Sequence, residues 1–368
     1  MEDVMFQARR DRSMSISPRT DPQGPKPRAP GALTTLKLKP VHIRHGRKAG
    51  MELDESERSQ IRSIAGSLAW IARQCRPDLA YHVSYFQSLK TKGKVSDLKA
   101  LNKVIEFAKS TADQAISFQT GILDWDEELT LCTITDASFA NEQETIEDLF
   151  GIEHQEDHRS QGGMWLVLAN PEIKTGKVCK FHLLEFTSHI VKRVCRSTVQ
   201  AEAYTLRNGI DRAERLRGVI TDLYEPLNLK HWEAQAGAFM KHIWFTDCKS
   251  VYDACKASKL GKMEDKRLSI EFAGFRQDLW RRKGNVSGDP HYDDEPPVDG
   301  TDEIRWIDTD VMPVDCMTKA MDTTFIRKLL TTNTWDTSQP DSSKAKKQAK
   351  AESRRRNKET LAESNDAE

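Results

Sequence analysis

Apolar residues recur at helical spacing from Ser56 to Ala112. Ile61, Ile64, Ala65, Leu68 and Ala72 fall three or four apart, which predicts an amphipathic helix. Pro77 suits a helical first turn, and Leu79, Val83 and Phe86 follow on one face. A third stripe, Leu98, Leu101, Ile105 and Ala108, has Ser96 as its predicted N-cap. These stripes are narrow. The segment is therefore expected to pack as a small helical unit beside another layer, leaving an apolar patch that is exposed or self-associating.

The period changes at Glu128. Leu129 to Phe139 reads as a strand with Cys132, Ile134 and Asp136 on one face. Met164 to Ala169 and His182 to Ile190 are predicted as two further strands. Ser197 and Gln200 make a Ser-x-x-Gln capping box. The stripe Val199, Ala203, Leu206, Ile210, Ala213, Leu216 and Ile220 then predicts a long helix. His242 to Asp247 is a fourth strand, with Ile243, Phe245 and Asp247 sharing a face. Helices are predicted over Ser250 to Lys256 and Leu268 to Arg282, a fifth strand over Glu303 to Ile307, and a last helix opened by Pro313. This order implies an α/β fold, a mixed five-stranded sheet flanked by helices and preceded by the small helical segment.

Composition adds the ends. Of 368 residues, 38% are hydrophobic and 30% charged, which is apolar-poor for a wholly folded chain and predicts disordered termini around a core. The predicted organisation is a mostly disordered basic segment over 1–50, the helical unit over 51–120, the α/β domain over 125–335 and a disordered charged tail over 336–368. The Lys/Arg/Ala run 344–359 reads as a solvated tail, ahead of a nuclear-import or nucleic-acid tail. Lys+Arg and Asp+Glu are both 56, so a net charge of zero hides basic ends and acidic loops. No apolar run reaches bilayer length and no secretory signal is present, so an intracellular protein, cytoplasmic or nuclear and not secreted, is expected. Seven cysteines without a Cys-x-x-Cys pair read as buried thiols, not disulfides or a zinc site.

Four acids stand at informative positions. Asp136 is on an apolar strand face, and Glu202 borders the buried face of the long helix. Asp247 ends the fourth strand, and Asp315 falls in the first turn after Pro313. A carboxylate on an apolar face is costly unless paired, hydrogen-bonded or metal-bound. Converging acids would repel, and divalent cations with a taste for hard oxygen ligands, such as Mg²⁺, answer that repulsion. The bland alternative is a set of separate strand-end and N-cap acids, Asp315 above all.

The chain resembles the C-terminal part of the Pol polyprotein of copia-type LTR retrotransposons, the end of the reverse transcriptase followed by its ribonuclease H domain. The resemblance covers about residues 37–330. It rests on Gly66-Ser67-Leu68-Ala69-Trp70 with Arg76-Pro77-Asp78-Leu79-Ala80, and on Thr135-Asp136-Ala137-Ser138-Phe139-Ala140. It continues through Arg159-Ser160 with Gly163, Glu185 to Thr198, Gln200-Ala201-Glu202, Phe245-Thr246-Asp247-Cys248-Lys249-Ser250, and Asp315-Cys316-Met317-Thr318-Lys319. It implies a ribonuclease H-like fold and Mg-dependent endonucleolytic hydrolysis of the RNA strand of RNA–DNA hybrids. Asp136, Glu202, Asp247 and Asp315 fall on the catalytic, metal-binding acids. Asp136 is expected to bridge two Mg²⁺ ions (Mn²⁺ as substitute), Glu202 and Asp247 to hold one, and Asp315 the other. The implied partners are the hybrid and the missing polymerase palm and fingers, with no membrane and no small-molecule cofactor.

The chain departs from that family in places. An acidic insert over 141–158 lengthens the stretch after Asp136, and a second acidic loop spans Asp289 to Asp302. No histidine lies between Thr301 and Asp315, where many ribonucleases H carry one, and no Tyr-x-Asp-Asp hairpin occurs, so DNA polymerisation is not expected. A catalytically inactive Pol remnant that binds nucleic acid or protein is the alternative. An integrase- or transposase-like enzyme fits less well, since it would use three acids without the Asp315 motif.

Lys192, Arg193, Arg196, Ser197 and Thr198 lie at the start of the long helix, whose N-terminus can take a phosphate. They are candidate nucleic-acid contacts, with a solvated basic turn as the rival reading. His154 and His158 read as a solvated loop ahead of a metal pair. His42 and His45 lie in a basic, strand-like segment, Lys37 to Lys48. Trp70, Trp165, Trp244 and Trp306 are expected in the core.

Overall fold

Asp54 and Glu57 start the helical unit by capping each other. Asp54 Oδ1 accepts from Glu57 N, and Glu57 Oε2 accepts from Asp54 N, both at 3.0 Å. In this computed structural model, which describes residues 32–89, 93–139, 159–257, 261, 263–279 and 302–338, a short helix α1 (Ala32–Leu36) comes first. The unit proper is α2 (Glu55–Cys75), α3 (Ala80–Ser88) and α4 (Val95–Ser110). Its own core gathers Leu68, Leu79, Phe86, Leu98 and Leu101 from the three predicted stripes, and Ile71, which lies outside them. Pro77 opens a separate 3₁₀ turn, Pro77–Leu79, and not α3 itself. Lys94, not Ser96, is the N-cap of α4, and Asp97 accepts from its backbone N–H at 2.7 Å.

The Arg76-Pro77-Asp78 turn is a buried clamp. Arg76 Nε and Nη2 donate to the Asp78 carboxylate at 2.9 and 2.8 Å, and the same guanidinium reaches the Thr111 carbonyl and hydroxyl at the end of α4. Planar bidentate pairing of this kind is what the arginine fork supplies and lysine does not. Lys37 to Lys48 is a coil, not a strand. It is fastened to the helices by Asn102, which accepts from Val41 N at 2.7 Å and donates to Val41 O at 3.0 Å.

The sheet has six strands in the order β5-β4-β1-β2-β3-β6. They are β1 (Thr130–Ser138), β2 (Gln161–Ala169), β3 (Val178–Ile190), β4 (Lys241–Thr246), β5 (Asp302–Trp306) and β6 (Thr334–Asp336). The first three run antiparallel, β6 is antiparallel to β3, and β4 and β5 are parallel to β1 and to each other. The helices between strands are α5 (Thr198–Tyr224), α6 (Trp232–Phe239), α7 (Lys249–Lys256) and α8 (Lys266–Leu279), and α9 (Thr324–Thr332) precedes β6. The protein is thus a mixed α/β structure with a six-stranded mixed sheet flanked by helices.

Alternation sorts the strand residues between two faces. Cys132, Ile134, Ile243 and Phe245 face one core with Val314, Met317, Leu329 and Trp335. Trp244 faces α5, α7 and α8 in another core, with Leu206, Val251, Phe272 and Phe275. Gly209 lets α5 lie close on β1, because a Cβ there would stand 2.6 Å from Thr133 Cγ2.

Several expectations are corrected. The predicted five strands are six, since β6 was not foreseen, and neither was α6. Pro313 does not open the last helix. The chain makes a 3₁₀ turn at Asp315–Met317, and α9 starts only at Thr324. Met312, Val314 and Met317 are all buried there, packed in the core with Ile243 and Phe245. Trp70 is 55% exposed, whereas Trp165 and Trp244 are fully buried. The segment 1–31, the insert with His154 and His158, most of the second acidic loop and the run 344–359 lie outside the described residues. All seven cysteines are free thiols, and among the described residues no helix is long and apolar enough to cross a membrane.

Candidate metal centre

The parallel pairing of β1 with β4 aligns Ile134 with Phe245. Two residues further along each chain, on the same side as these apolar residues, come Asp136 and Asp247. Glu202 reaches the same point from the first turns of α5. That helix starts where Ser197 Oγ accepts from Gln200 N at 3.2 Å, while Gln200 Oε1 accepts from Arg196 N at 2.7 Å. The glutamine thus reaches one residue further back than a reciprocal capping box requires.

Asp136, Glu202 and Asp247 each place a carboxylate oxygen within 4.8 Å of the others. Asp136 and Glu202 are buried, and Asp247 is half-buried. Glu202 accepts the Ala137 backbone N–H, but its Oε2 is buried with no hydrogen-bond partner. A buried carboxylate oxygen without a partner, on a residue grouped with two other acids, is costly by itself. Three convergent hard-oxygen donors with one lone-pair site unfilled fit a divalent cation of the Mg²⁺ type.

The electrostatics agree. Burial, then the charges of Asp247 and Asp315, push the Asp136 carboxyl up to about 8, against the help of Thr318 and Lys319. Burial and the neighbouring acids hold Glu202 well above the usual carboxylate range. Burial also raises Asp247, whose Oδ2 accepts from Thr309 Oγ1 at 2.8 Å. Without a counter-cation, the site disfavours its own full ionisation.

Asp315 is buried in its 3₁₀ turn. Its charge is felt by Asp136 and Asp247, but it is not in the group of three that converges. Lys319 Nζ lies 2.6 Å from Asp315 Oδ1. Gly163, opposite Asp136 on β2, makes room for this turn. A Cβ there would stand 2.9 Å from Thr318 Cγ2 and 3.0 Å from the Val314 carbonyl.

The structure places Lys192, Arg193, Arg196 and Ser197 on the connection from β3 to α5 and Thr198 at the first position of α5, all in the ten residues before Glu202. Lys192, Arg193, Arg196 and Thr198 are exposed. The Arg193 guanidinium pairs with Glu271 at 3.1 Å and lies 4.9 Å from the Tyr204 ring centre. Ser197 is occupied as the helix cap.

Sequence reasoning missed two sets of residues. Thr318 and Lys319 are the first, and the spacing of Lys319 four residues after Asp315 is the signal that could have found it. A second group, Glu214, His242 and Asp302, also brings ligand atoms together. The Arg217 guanidinium fills it, 2.7 Å from Asp302 Oδ1 and 3.3 Å from Glu214 Oε1, so it is a buried ion network. It lies five residues before Asp247 along β4, roughly 16 Å from that acid.

The fold and site define a mixed α/β protein with a buried, metal-competent acidic centre. No protein-family profile matches the chain, and no curated protein matches it.

Proposed function

We propose that this protein is a ribonuclease H-type endonuclease that hydrolyses the RNA strand of RNA–DNA hybrids. The observation that carries the reading is the convergence of one carboxylate oxygen each from Asp136, Glu202 and Asp247 within 4.8 Å, in a site where Glu202 Oε2 is buried without a hydrogen-bond partner. The strand order is compatible with a ribonuclease H-like sheet to which β6 adds a sixth, edge strand. Asp136, Glu202, Asp247 and Asp315 would hold Mg²⁺, with Mn²⁺ as a substitute. When bound, such ions supply an activated water and charge stabilisation at the leaving 3′-oxygen.

The chain's own residues do the rest. Asp136 feels the charges of both Asp247 and Asp315 and would be the shared ligand. Thr309 orients Asp247 by donating to its Oδ2. Lys192, Arg193 and Arg196 would meet the nucleic-acid backbone on the rim, where contacts to phosphate and 2′-hydroxyl give little sequence preference.

The test is Mg²⁺-dependent cleavage of a labelled RNA–DNA hybrid, with single-stranded RNA as control and Asp136→Asn as the inactive variant. Cleavage is expected to vanish in the variant, a loss on the order of a thousandfold or more. Equal cleavage by both proteins would remove Asp136 from the centre. A second reading, a remnant that keeps the fold without turnover, is favoured by one observation: Asp315 is already paired with Lys319. A wild-type protein that binds the hybrid and cleaves nothing would select it.

A further inference from the structure

The five-residue stretch Asp315 to Lys319 brings an acid, a hydroxyl and a cation to the centre. Lys319 Nζ sits on Asp315 Oδ1 at 2.6 Å, with its side chain 41% exposed. Its charge also acts on the carboxylates of Asp136 and Asp247. The centre therefore has two unlike halves. Asp136, Glu202 and Asp247 converge within 4.8 Å and leave Glu202 Oε2 without a partner. Asp315, outside that group, has its charge already met.

We propose that Lys319 is a built-in cation occupying the Asp315 arm, so that the resting site loads one divalent ion, on Asp136, Glu202 and Asp247, and takes a second at Asp315 only by displacing the lysine ammonium. The idea rests on the metal-dependent reading of this centre and refines it. An ammonium cannot share a small carboxylate arm with a divalent cation at contact distance without strong repulsion. Vacating Asp315 requires Lys319 to find another anion, and its partial exposure leaves it a path to do so. Lys319 is thus a positioning residue that sets how many ions the free protein holds.

The experiment counts ions and does not depend on turnover. The full chain at pH 8 is titrated with Mn²⁺, and free ion is followed by electron paramagnetic resonance. Lys319→Met, Lys319→Gln and Lys319→Arg are compared with the wild type, with circular dichroism checking that each folds. The expected result is one bound ion in the wild type and in Lys319→Arg. Two ions are expected in Lys319→Met and Lys319→Gln, with first-ion affinity raised about tenfold or more, since a unit charge near the ion is gone. Two ions of comparable affinity in the wild type, no ion at all, or the same count in the wild type and both neutral variants would each overturn the proposal. Hybrid cleavage is read separately. A protein that shows the expected counts but cuts no hybrid refutes the ribonuclease reading while the role of Lys319 stands.

Discussion

Thr318 Oγ1 lies 2.5 Å from Asp136 Oδ2, although 182 residues separate the two in sequence. The same hydroxyl is 2.9 Å from the Asp315 carbonyl. A hydroxyl has one proton to give, so the carboxylate and the carbonyl compete for it. Together with Ser138 Oγ, which donates to the Thr318 carbonyl at 2.9 Å, this contact ties the Asp315 turn to β1.

Thr318→Val keeps the shape and removes the donor. The ionised form of Asp136 then loses one of the two groups that lower its proton affinity. A hydrogen bond to a charged group contributes about 1.5–3 kcal/mol, so hybrid cleavage at pH 7 should fall roughly ten- to a hundredfold. The pH–rate profile should move to higher pH, because more alkali is needed to ionise the acid. An unmoved profile would mean that Thr318 does not support the charged acid.

The metal-free protein should be stabilised by acid through Asp136. Its carboxyl is raised to about 8 in the folded protein from 3.8, so between those values the native state binds more protons than the unfolded chain. Stability from this group is present at low pH and is lost as pH rises toward 8. Thermal melts in chelator should therefore show Asp136→Asn more stable than the wild type at pH 8, with the gap closing toward pH 5. Added Mg²⁺ should reverse the order at pH 8, since only the wild type keeps its full ligand set. A wild type that melts at the same temperature with chelator and with Mg²⁺ would contradict the metal reading.

Much of this was legible in the chain. Each helix of the 56–112 segment and α5 announced itself by repeating apolar residues every three or four positions. Asp136 and Asp247 stood out because strand phase put them beside Ile134 and Phe245. The three strand residues of β6 are too few to carry a period, and its place at the edge depends on pairing with Val178–Lys180. Pro313 predicts a helix at Asp315 because proline often opens one, but the chain makes a 3₁₀ turn there. Its residues are instead held by tertiary packing against Gly163 and β1. Thr318 and Lys319 could not be assigned from sequence because their partners are set by that turn.

Close approach of backbone makes two glycines sensitive. Gly209→Ala would bring a Cβ to 2.6 Å from Thr133 Cγ2 and 3.1 Å from Thr135 Cγ2. Both neighbours are side chains of a central strand, so relief means moving α5 off β1. The cost should be about 1–3 kcal/mol in urea unfolding. Since α5 carries Glu202, hybrid cleavage should fall by more than the loss of folded protein explains. Gly163→Ala should act on the other side, through the Val314 carbonyl and Thr318, and weaken Mn²⁺ binding. Full stability in Gly209→Ala would show that the helix has slack against the sheet.

The Arg217–Asp302 pair gives the opposite pH dependence from Asp136. Both side chains are buried, and Arg217 Nη1 donates to Asp302 Oδ1 at 2.7 Å. Burial opposes the charge on Asp302, but Arg217 and, after it, His242 prevail and hold the carboxyl down at about 2. The folded value lies below the unfolded 3.8, so the unfolded state binds the proton first. This stability is present above pH 4 and is lost as pH falls toward 2. Asp302→Asn removes the charge and leaves the buried Arg217 with Glu214 at 3.3 Å as its remaining carboxylate partner. Breaking such a pair should cost about 3–5 kcal/mol at pH 7, because a buried guanidinium is left under-compensated. The difference from the wild type should shrink as pH approaches 2, where the native aspartate is itself protonated. Urea unfolding at pH 7 and pH 3 measures both. Equal stabilities at pH 7 would mean that Glu214 alone compensates Arg217, and a difference that persists unchanged at low pH would mean that packing, not charge, is what the asparagine disturbs.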